Sequence, residues 1–545
     1  MPHRERRWNG WGWADERVQV SASARTWLAE RVGTGVPLAA AGEQEIRIPP
    51  ARTVPALGAA TSREPADRLR TACGLSFPDV VRLRTGAVEA FPDAVCRPGD
   101  AGEVVAVLRA AAARGVAVVV RGGGTSVVGG VTVTPRTAPT VVLALDRVRG
   151  LVALDRASRL ATLRAGTLGP EVEAALAPSG MRLGHEPQSF EFSSVGGWIA
   201  TRSAGQRSTG VGKIDELVAG LEVATPAGIW RLPPQPASAA GPEARRLLIG
   251  SEGRLGVITE ATLRVRPQPE RRDGVAVLVP GWSDGLEACR SLVQRGPIPE
   301  IVRLSDPGET GFGLALADLP YLASRVRDAI SAVRRFRHGC LLLLEWAGTT
   351  AEVTAAREDA APAWSDVGGL VLGRAPWRRW LADRFRHPYL RDELLSAGWG
   401  IDTLETAAPW SAIAALHASV REAMTAAAET AGFGAVVLCH LSHAYRDGAA
   451  LYFTFLWPLR RGGEVGQWRA LKESANRAIL AGGGTITHHH GVGTMHAPYL
   501  EREIGSEGVA ALRGAATAVD PHGVLNPGVL LPEPSAHATG DAERV

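Results

Sequence analysis

Lysine is nearly absent from this 545-residue chain, in which Lys213 and Lys472 are the only two. The 60 basic residues are therefore almost all arginine, and against 56 acidic residues they leave a net charge of +4. We attribute the pI near 9.0 to the codon usage of a GC-rich genome. A surplus this small, with no basic run interleaved with aromatic residues, argues against a nucleic-acid-binding surface.

Cysteines are few and scattered. They are odd in number and form no CxxC pair: Cys73, Cys96, Cys289, Cys340 and Cys439. This pattern argues against a disulfide framework and a structural zinc site, and it fits a reducing compartment.

Long apolar runs are missing as well. No stretch approaches the roughly 18 apolar residues that span a bilayer. Residues 1–7 lack the apolar core of a signal peptide. We find no internal repeat and expect a cytoplasmic, soluble protein with two to four structural units.

Glycine is abundant, at 63 residues, and three segments combine it with serine or threonine: 120–126, 184–197 and 250–258. Glycine lets the backbone approach a flat or charged ligand, and hydroxyl groups supply donors without bulk. One such loop alone is typical of a surface turn. Three in succession predict one long cofactor wrapped by one domain.

The first of these loops does not fit a Rossmann phosphate loop. Val127 stands where the GxGxxG pattern requires its last glycine, and residues 131–134 favour a strand over a helix. Phosphate would instead be held by successive backbone N–H groups. Around this loop we predict a helix capped by Asp100, a buried strand at 116–120, and further strands at 141–145, 151–154 and 161–165.

Three consecutive histidines, His488, His489 and His490, precede Gly491. In an extended segment successive side chains alternate, so His488 and His490 would share one side and His489 would face the other. We find nothing nearby in sequence to complete a metal site and predict none. Imidazole suits general acid–base catalysis, and a purely structural run is the remaining alternative.

These segments together resemble the FAD-binding domain of the vanillyl-alcohol oxidase (PCMH-type) superfamily. More narrowly, they resemble the alkyldihydroxyacetonephosphate synthase family, also called alkylglycerone-phosphate synthases. The likeness extends from the Trp-Asn-Gly-Trp-Gly element at 8–12 to Asn-Pro-Gly at 526–528. The tryptophan element and the triple histidine are specific to the narrower family.

The resemblance implies an α+β protein with a two-subdomain PCMH-type FAD-binding domain at 89–268 and an α/β cap domain, which binds substrate, at 269–480. From their arginine- and alanine-rich composition, we interpret residues 1–88 as a mostly helical N-terminal unit with long loops. Residues 481–531 would return to the flavin domain with the active-site histidines, and 532–545 would be a disordered tail.

The resemblance also implies which residues contact FAD. The first loop would hold the pyrophosphate, the second the isoalloxazine and ribityl groups, and the third the adenine side. The residues are Val120, Arg121, Gly122, Gly123, Gly124, Thr125 and Ser126; Gln188, Ser189, Phe190, Glu191, Phe192, Ser193, Ser194, Gly196, Gly197, Thr201, Arg202, Ser203 and Ala204; and Glu252, Gly253, Arg254, Leu255, Gly256, Val257 and Ile258. Thr125 stands where some relatives carry a histidine that links FAD covalently, so we expect non-covalent FAD.

The catalytic residues implied by the resemblance are Tyr452, His488, His489, His490 and Arg303, with Arg391 as the phosphate ligand. From pattern alone, a strand tyrosine is more often a core residue, and a single arginine more often lies on the surface. A tyrosine that acts as a base needs its pKa of about 10 lowered by nearby positive charge. We interpret the similar segment around Glu405 as packing.

The implied activity is exchange of the acyl group of acyl-dihydroxyacetone phosphate for a long-chain alkyl group, through an adduct at flavin N5, in ether lipid synthesis. Tyr452 would remove a substrate proton, and the histidine cluster would deprotonate the fatty alcohol. A homodimer and peripheral contact with a membrane are further implications. The alternative is an FAD-dependent oxidoreductase of a 2-hydroxy acid such as D-lactate or glycolate, and a flavoprotein that has lost its chemistry is a third reading.

Overall fold

A computed structural model describes residues 4–317 and 333–531 of the chain. The predicted disordered tail, residues 532–545, lies outside the described residues. Across the described residues, no helix is both long enough and apolar enough to cross a membrane.

The first domain contains a four-stranded sheet. Its order is β1-β2-β4-β3, with β2 and β3 parallel to β4 and β1 antiparallel to β2. The strands are β1 (Ala60–Ser62), β2 (Ala94–Arg97), β3 (Ala117–Arg121) and β4 (Thr140–Ala144). The central strands are continuous apolar runs, as expected for parallel strands covered on both faces.

A second sheet of the same domain is antiparallel, in the order β5-β6-β10-β8-β9. Its strands are β5 (Leu151–Asp155), β6 (Leu160–Arg164), β8 (Val218–Thr225), β9 (Gly228–Leu232) and β10 (Val257–Arg264). A short ribbon pairs β7 (Met181–Arg182) with β11 (Arg266–Pro267). The three glycine loops connect elements of these sheets, and this brings them to one side of the domain.

The second domain is built on a seven-stranded antiparallel sheet in the order β15-β12-β14-β13-β17-β18-β16. Its strands are β12 (Arg271–Val279), β13 (Ile301–Ser305), β14 (Cys340–Gly348), β15 (Leu370–Gly373), β16 (Trp399–Pro409), β17 (Val436–Ala444) and β18 (Gly448–Pro458). The largest apolar core of the described residues packs against this sheet.

Helices cover the sheets and carry the segments between strands. In the first domain and the preceding segment they are Ala22–Val32, Pro65–Ala72, Phe77–Thr85, Ala101–Ala112, Gly169–Leu176, Val195–Ala200, Ser208–Val211, Ile214–Leu217 and Ala244–Leu248. In the second domain and beyond they are Trp282–Arg295, Pro307–Ala317, Thr350–Ser365, Ala375–Asp383, Leu390–Ser396, Trp410–Thr430, Glu464–Ala481 and Leu500–Val519.

The expectation of a mostly helical N-terminal unit is wrong. Before residue 89 the described helices have 11, 8 and 9 residues, and most of the segment is loop. The loops are held by the rest of the protein: Arg7 pairs with Asp392 at 3.0 Å, and the backbone N–H of Trp11 donates to the same carboxylate at 2.8 Å. The tryptophan element therefore anchors the helix Leu390–Ser396, which also carries Arg391.

Two further sets of contacts connect the C-terminal segment to the first domain and the two domains to each other. Leu525 forms a parallel bridge with Val118 of β3, so the C-terminal segment runs along the first domain. Between the two domains, the buried guanidinium of Arg207 pairs with Glu186 at 3.0 Å and also with Glu300 and Glu345. Because these carboxylates come from both domains, the pairs fix the position of the second sheet over the glycine loops.

Candidate active site

A cavity of about 1320 Å³ is lined by both domains. Single-ligand pockets are usually roughly 300–1,000 Å³, so this one has room for a cofactor and a substrate together. The lining has two chemically different parts, the glycine loops of the first domain and a set of apolar side chains of the second. The apolar set includes Phe312, Leu314, Leu316, Leu341, Leu343 and Leu372.

Most residues predicted to contact the cofactor line this cavity. They are Val120, Gly122, Gly123, Gly124, Thr125 and Ser126; Gln188, Ser189, Ser193, Ser194, Gly196, Gly197, Thr201, Ser203 and Ala204; and Glu252, Gly253, Gly256, Val257 and Ile258. Three segments distant in sequence thus meet at one surface.

Seven predicted contacts do not line the cavity: Arg121, Phe190, Glu191, Phe192, Arg202, Arg254 and Leu255. Their side chains point into the protein or to solvent instead. The guanidinium of Arg121 donates to the carbonyl of Cys73 at 2.9 Å, and Phe192 packs edge-on against Trp11 with ring centroids 5.6 Å apart. These side chains support the loops from behind.

The glycines of the first loop are required by close packing. A Cβ at Gly123 would lie 1.8 Å from the carbonyl oxygen of Phe192, and one at Gly122 would lie 2.2 Å from the Ser194 hydroxyl. Only glycine allows the first and second loops to approach this closely. Backbone N–H groups and small hydroxyl residues therefore form a surface without bulk, which fits a flavin dinucleotide.

The third loop is linked to the histidine segment by Glu252. Its carboxylate accepts backbone hydrogen bonds from Val492 at 2.6 Å and Gly493 at 2.9 Å. Burial raises the pKa of Glu252 to about 7, although these two hydrogen bonds act in the opposite direction. The cofactor surface and the histidines are thereby fixed to each other.

Strand register aligns three polar residues in the second domain. Tyr452 on β18 lies opposite Glu405 on β16 and, on its other side, opposite His440 on β17. Residues directly opposite each other in a sheet point to the same face. Tyr452 and His440 both line the cavity, so this face of the sheet forms its wall.

The three histidines curl around the Glu405 carboxylate. The backbone N–H groups of His488, His489 and His490 donate to the same oxygen at 3.1, 2.9 and 2.7 Å, and the Thr487 hydroxyl adds a bond of 2.9 Å. The interpretation of Glu405 as packing is therefore wrong. Glu405 is the anion that shapes the histidine loop.

The loop is bent rather than extended, so the expected alternation is also wrong. The rings of His489 and His490 both lie against Tyr452, with centroids 5.8 and 5.6 Å from that of the phenol. His488 instead faces Tyr445, whose hydroxyl is 2.7 Å from its Nε2, and its carbonyl accepts from Lys213 at 2.6 Å.

Burial determines the charge of these groups. It lowers the pKa of His488 and His489 well below the usual value, and the neighbouring cationic groups lower it further. Both imidazoles are therefore neutral near pH 7 and can accept a proton. Burial alone would raise the pKa of Glu405, but the histidines and their N–H groups hold it well below 4.5.

Tyr452 does not have the lowered pKa that a base would need. Burial raises the pKa of its phenol, and the negative charge of Glu405 raises it further, while the hydrogen bond to Thr403 and the charge of Arg303 only partly oppose them. The hydroxyl donates to the Thr403 side chain at 2.9 Å. In this state Tyr452 is a protonated phenol, and a neighbouring acceptor must take its proton before it can remove one from a substrate.

The two predicted arginines differ in their environment. Arg391 donates to the carbonyl of Leu75 at 2.7 Å, while its Nε and one Nη are buried without a hydrogen-bond partner among residues 4–317 and 333–531. Arg303 donates to Glu309 at 2.8 Å. Both arginines line the cavity, but only Arg391 has this unused pair of donors, which suits a phosphate.

The fold brings together groups that could hold a metal, which the sequence did not indicate. One consists of His443, His488 and His489, and the other of Glu405, His489 and His490. In each group the candidate ligand atoms lie within 4.8 Å of one another. In the second group one Glu405 oxygen already accepts four hydrogen bonds, so its other oxygen, 3.2 Å from Nδ1 of His490, is the candidate ligand atom.

Several site residues were missed from sequence, namely Glu405, His440, Glu309, Thr403 and Lys213. Two patterns could have revealed some of them. Glu405 is the one charged residue among the small and apolar residues of 403–409. Lys213 is one of only two lysines in an arginine-rich chain.

Comparison with known proteins supports the same site. The chain matches two domain families: "FAD binding domain" over residues 92–232 and "FAD linked oxidases, C-terminal domain" over 268–530. It is 30% identical to the alkyldihydroxyacetonephosphate synthases of Dictyostelium discoideum and Trypanosoma brucei brucei. These alignments cover 85% and 86% of this chain and 77% and 78% of the relatives.

A solved alkyldihydroxyacetonephosphate synthase structure superposes with a TM-score of 0.82 at 25% identity, covering 96% of this chain and 98% of the other. The predicted α+β, two-domain, PCMH-type FAD-binding fold is thus confirmed, and so is FAD as the cofactor.

Proposed function

Because the chain belongs to the alkyldihydroxyacetonephosphate synthase family, we propose that it exchanges the acyl group of an acyl-dihydroxyacetone phosphate for a long-chain alkyl group. FAD, held non-covalently with Thr125 in the first loop, supplies an electron sink for the reacting carbon without net oxidation. Ether lipid synthesis is the corresponding role.

Arg391 binds the phosphate of the substrate in this proposal. Its Nε and free Nη form a planar fork that matches two phosphate oxygens, whereas a lysine would offer only a point charge. The contact with Leu75 and the neighbouring anchor on Asp392 hold the helix in place. The phosphate thereby fixes the reacting carbon within the cavity.

Tyr452 and the histidine loop handle the substrate proton. Since the phenol is protonated at neutral pH, its proton must move as it accepts the one from carbon. The rings of His489 and His490 lie against the phenol, and His489, whose pKa is lowered by burial, is a neutral acceptor for this proton. The fixed charge of Glu405 then stabilises the imidazolium that forms.

The apolar part of the cavity receives the acyl and alkyl chains. Its side chains would bind a long hydrocarbon by burial but offer nothing to a small hydroxy acid. Lactate or glycolate would leave most of this surface in contact with water. The apolar lining is the reason we favour alkyl transfer over hydroxy-acid oxidation.

One observation carries the proposal: Arg391, which has two unpaired donors, lines the same cavity as the glycine loops, Tyr452, His489 and His490. The test is to incubate purified holoprotein with acyl-dihydroxyacetone phosphate and an isotope-labelled long-chain alcohol. Mass spectrometry should find the label in a phosphorylated ether. The proposal fails if flavin-loaded protein yields no labelled ether while a family member run in parallel does.

We further propose a cytoplasmic homodimer that touches membranes from which it takes its lipids. The family resemblance and the apolar cavity support this. Size-exclusion chromatography with light scattering tests the dimer, and cosedimentation with liposomes tests membrane contact. A monomer at working concentration, or protein that stays in the supernatant at every lipid composition, would contradict the respective part.

A further inference from the structure

A second carboxylate–imidazole pair lies on the other side of Tyr452 from Glu405. The carboxylate of Glu309 is 2.9 Å from Nδ1 of His440. Glu309 is in the first turn of the helix Pro307–Ala317, and its backbone N–H donates to Asp306 at 2.7 Å. The start of this helix thus fixes the carboxylate at the wall of the cavity.

His440 is placed for chemistry at the phenol. It is directly opposite Tyr452 in the sheet, and the two rings stack with centroids 5.0 Å apart. Its Nδ1 is 2.9 Å from a Glu309 oxygen, which also accepts from Arg303 at 2.8 Å, and the same Arg303 nitrogen lies 3.2 Å from Nδ1. The shorter contact places the hydrogen on Nδ1, where it is donated to Glu309. Its Nε2 makes no hydrogen bond within residues 4–317 and 333–531, and the residue lines the cavity. A carboxylate that accepts from Nδ1 leaves the lone pair of Nε2 available as a base.

The surroundings indicate which ligand meets this base. The helix that carries Glu309 in its first turn continues with Phe312, Leu314 and Leu316, all of which line the apolar part of the cavity. A hydrocarbon chain lying along this helix would end with its polar head beside His440. The histidine loop, in contrast, is fastened through Glu252 to the third glycine loop.

We propose that His440, oriented by Glu309, is the catalytic base that takes the hydroxyl proton of the long-chain alcohol. The O–H bond breaks, an N–H bond forms at Nε2, and the oxygen keeps the electron pair with which it bonds to the substrate carbon. Glu309 balances the imidazolium, which later returns its proton to solvent. The inference rests on the proposed function and moves this step from the histidine loop to His440.

The variant Glu309→Gln tests the assignment. Its neutral amide cannot balance the charge of the imidazolium, so Nε2 becomes a weaker base. General base catalysis is typically worth roughly 10²- to 10⁴-fold. In single-turnover experiments with preloaded acyl substrate, we expect the alcohol-dependent step to slow at least about 100-fold, while release of the fatty acid keeps its rate.

The pH profile separates catalysis from a structural role. Burial and the charge of Arg303 lower the pKa of His440, and Glu309 opposes them. Without the carboxylate, the pKa of His440 should fall further. The acidic limb of the pH–rate profile for the alcohol-dependent step should therefore shift to lower pH. A substitution that only disturbs the structure would lower the rate and leave the acidic limb of the profile at the same pH. The other titratable or charged groups around this ring are Asp306, His387, His443 and Tyr452.

Two further variants keep the test decisive. His440→Ala should lose the alcohol-dependent step and regain part of it with added imidazole. Glu287→Gln, which changes a surface carboxylate paired with Arg290, should behave as the wild type. Flavin content is measured in each variant to show that the protein is folded.

The outcomes are distinguishable. If the wild type makes no ether, the proposed function itself fails. If the wild type makes ether and Glu309→Gln leaves the alcohol-dependent step unchanged, or slows fatty-acid release equally, the assignment of His440 is overturned. Failure of imidazole to rescue His440→Ala, in protein that retains its flavin, would overturn it as well.

Discussion

Replacing Glu405 with glutamine should loosen the histidine loop without removing any atom that fills space. In the native protein one carboxylate oxygen accepts three backbone N–H groups, from His488, His489 and His490, and the hydroxyl of Thr487. The amide oxygen of glutamine is uncharged, and its NH₂ group would replace the second carboxylate oxygen, which lies 3.2 Å from Nδ1 of His490.

The magnitude follows from the loss of charge. A hydrogen bond to a charged group contributes about 1.5–3 kcal/mol and a neutral one about 0.5–1.5 kcal/mol, so roughly 1 kcal/mol is lost per bond. The cost of burying the carboxylate, which glutamine avoids, offsets part of this. We expect the free energy of opening the loop to fall by about 2 kcal/mol, which corresponds to roughly 30-fold faster exchange of its amides.

Hydrogen–deuterium exchange measures this directly at pH 7. A peptide covering residues 485–493 should exchange about 30-fold faster in Glu405→Gln, while peptides of the first sheet should not change. Glu352→Gln is the matched control, because Glu352 also accepts a backbone N–H, that of Thr349, but on a surface helix. Unchanged protection of residues 488–490 in Glu405→Gln would refute the reasoning.

The same carboxylate predicts a pH dependence. Its pKa in the folded protein lies well below the ordinary 4.5. The stabilisation it provides is therefore fully present above about pH 4.5 and is lost as the pH falls through the folded-state pKa. Glu405→Gln should lack this component, so the difference in loop protection between variant and wild type should shrink in acid. A difference that is constant or grows below pH 4.5 would contradict this.

Three other substitutions test the remaining roles. Arg391→Lys should raise the KM for the phosphorylated substrate roughly tenfold with kcat little changed, because an ammonium point charge replaces the planar guanidinium fork. An unchanged KM would exclude Arg391 as the phosphate ligand. Gly123→Ala should abolish FAD binding, seen as loss of flavin absorbance, because its Cβ would lie 1.8 Å from the Phe192 carbonyl oxygen. Gly466→Ala, which meets open space, should retain FAD. Tyr452→Phe should keep FAD but lower turnover at least about 100-fold, and near-normal turnover would remove the phenol from the mechanism.

Local sequence patterns were sufficient to predict secondary structure where neighbouring residues in the chain determine it. The strand predicted at 116–120 is found at Ala117–Arg121, and the strand at 141–145 is found at Thr140–Ala144. The helix capped by Asp100 runs over Ala101–Ala112, and the Asp100 side chain accepts from the N–H of Glu103 at 2.9 Å. Apolar runs and caps act over a few residues, so they can be recognised without the fold.

The histidine loop could not be predicted in this way. Its shape depends on Glu405, which lies on another strand, and an isolated triple histidine gives no indication of that partner. The alternation rule holds for an extended segment, whereas three N–H groups that converge on one oxygen require a bend. The prediction of the side that each histidine, His488, His489 and His490, faces was wrong because of this bend.

The raised pKa of Tyr452 likewise depends on three-dimensional neighbours. A tyrosine base was expected to need nearby positive charge, but burial lowers the pKa of His489, and an anion, Glu405, lies opposite Tyr452. Arg391 shows the opposite case. Sequence similarity indicated the residue, and the structure supplies the physical reason in two buried donors without a partner.

The most direct test of alkyl transfer without net oxidation is to follow the flavin spectrum of anaerobic holoprotein while the product is analysed. With acyl-dihydroxyacetone phosphate and a long-chain alcohol, we predict multiple turnovers to the ether and a flavin that ends in its oxidised form. Stoichiometric flavin reduction by D-lactate or glycolate, with no ether from the lipid substrates, would contradict this account.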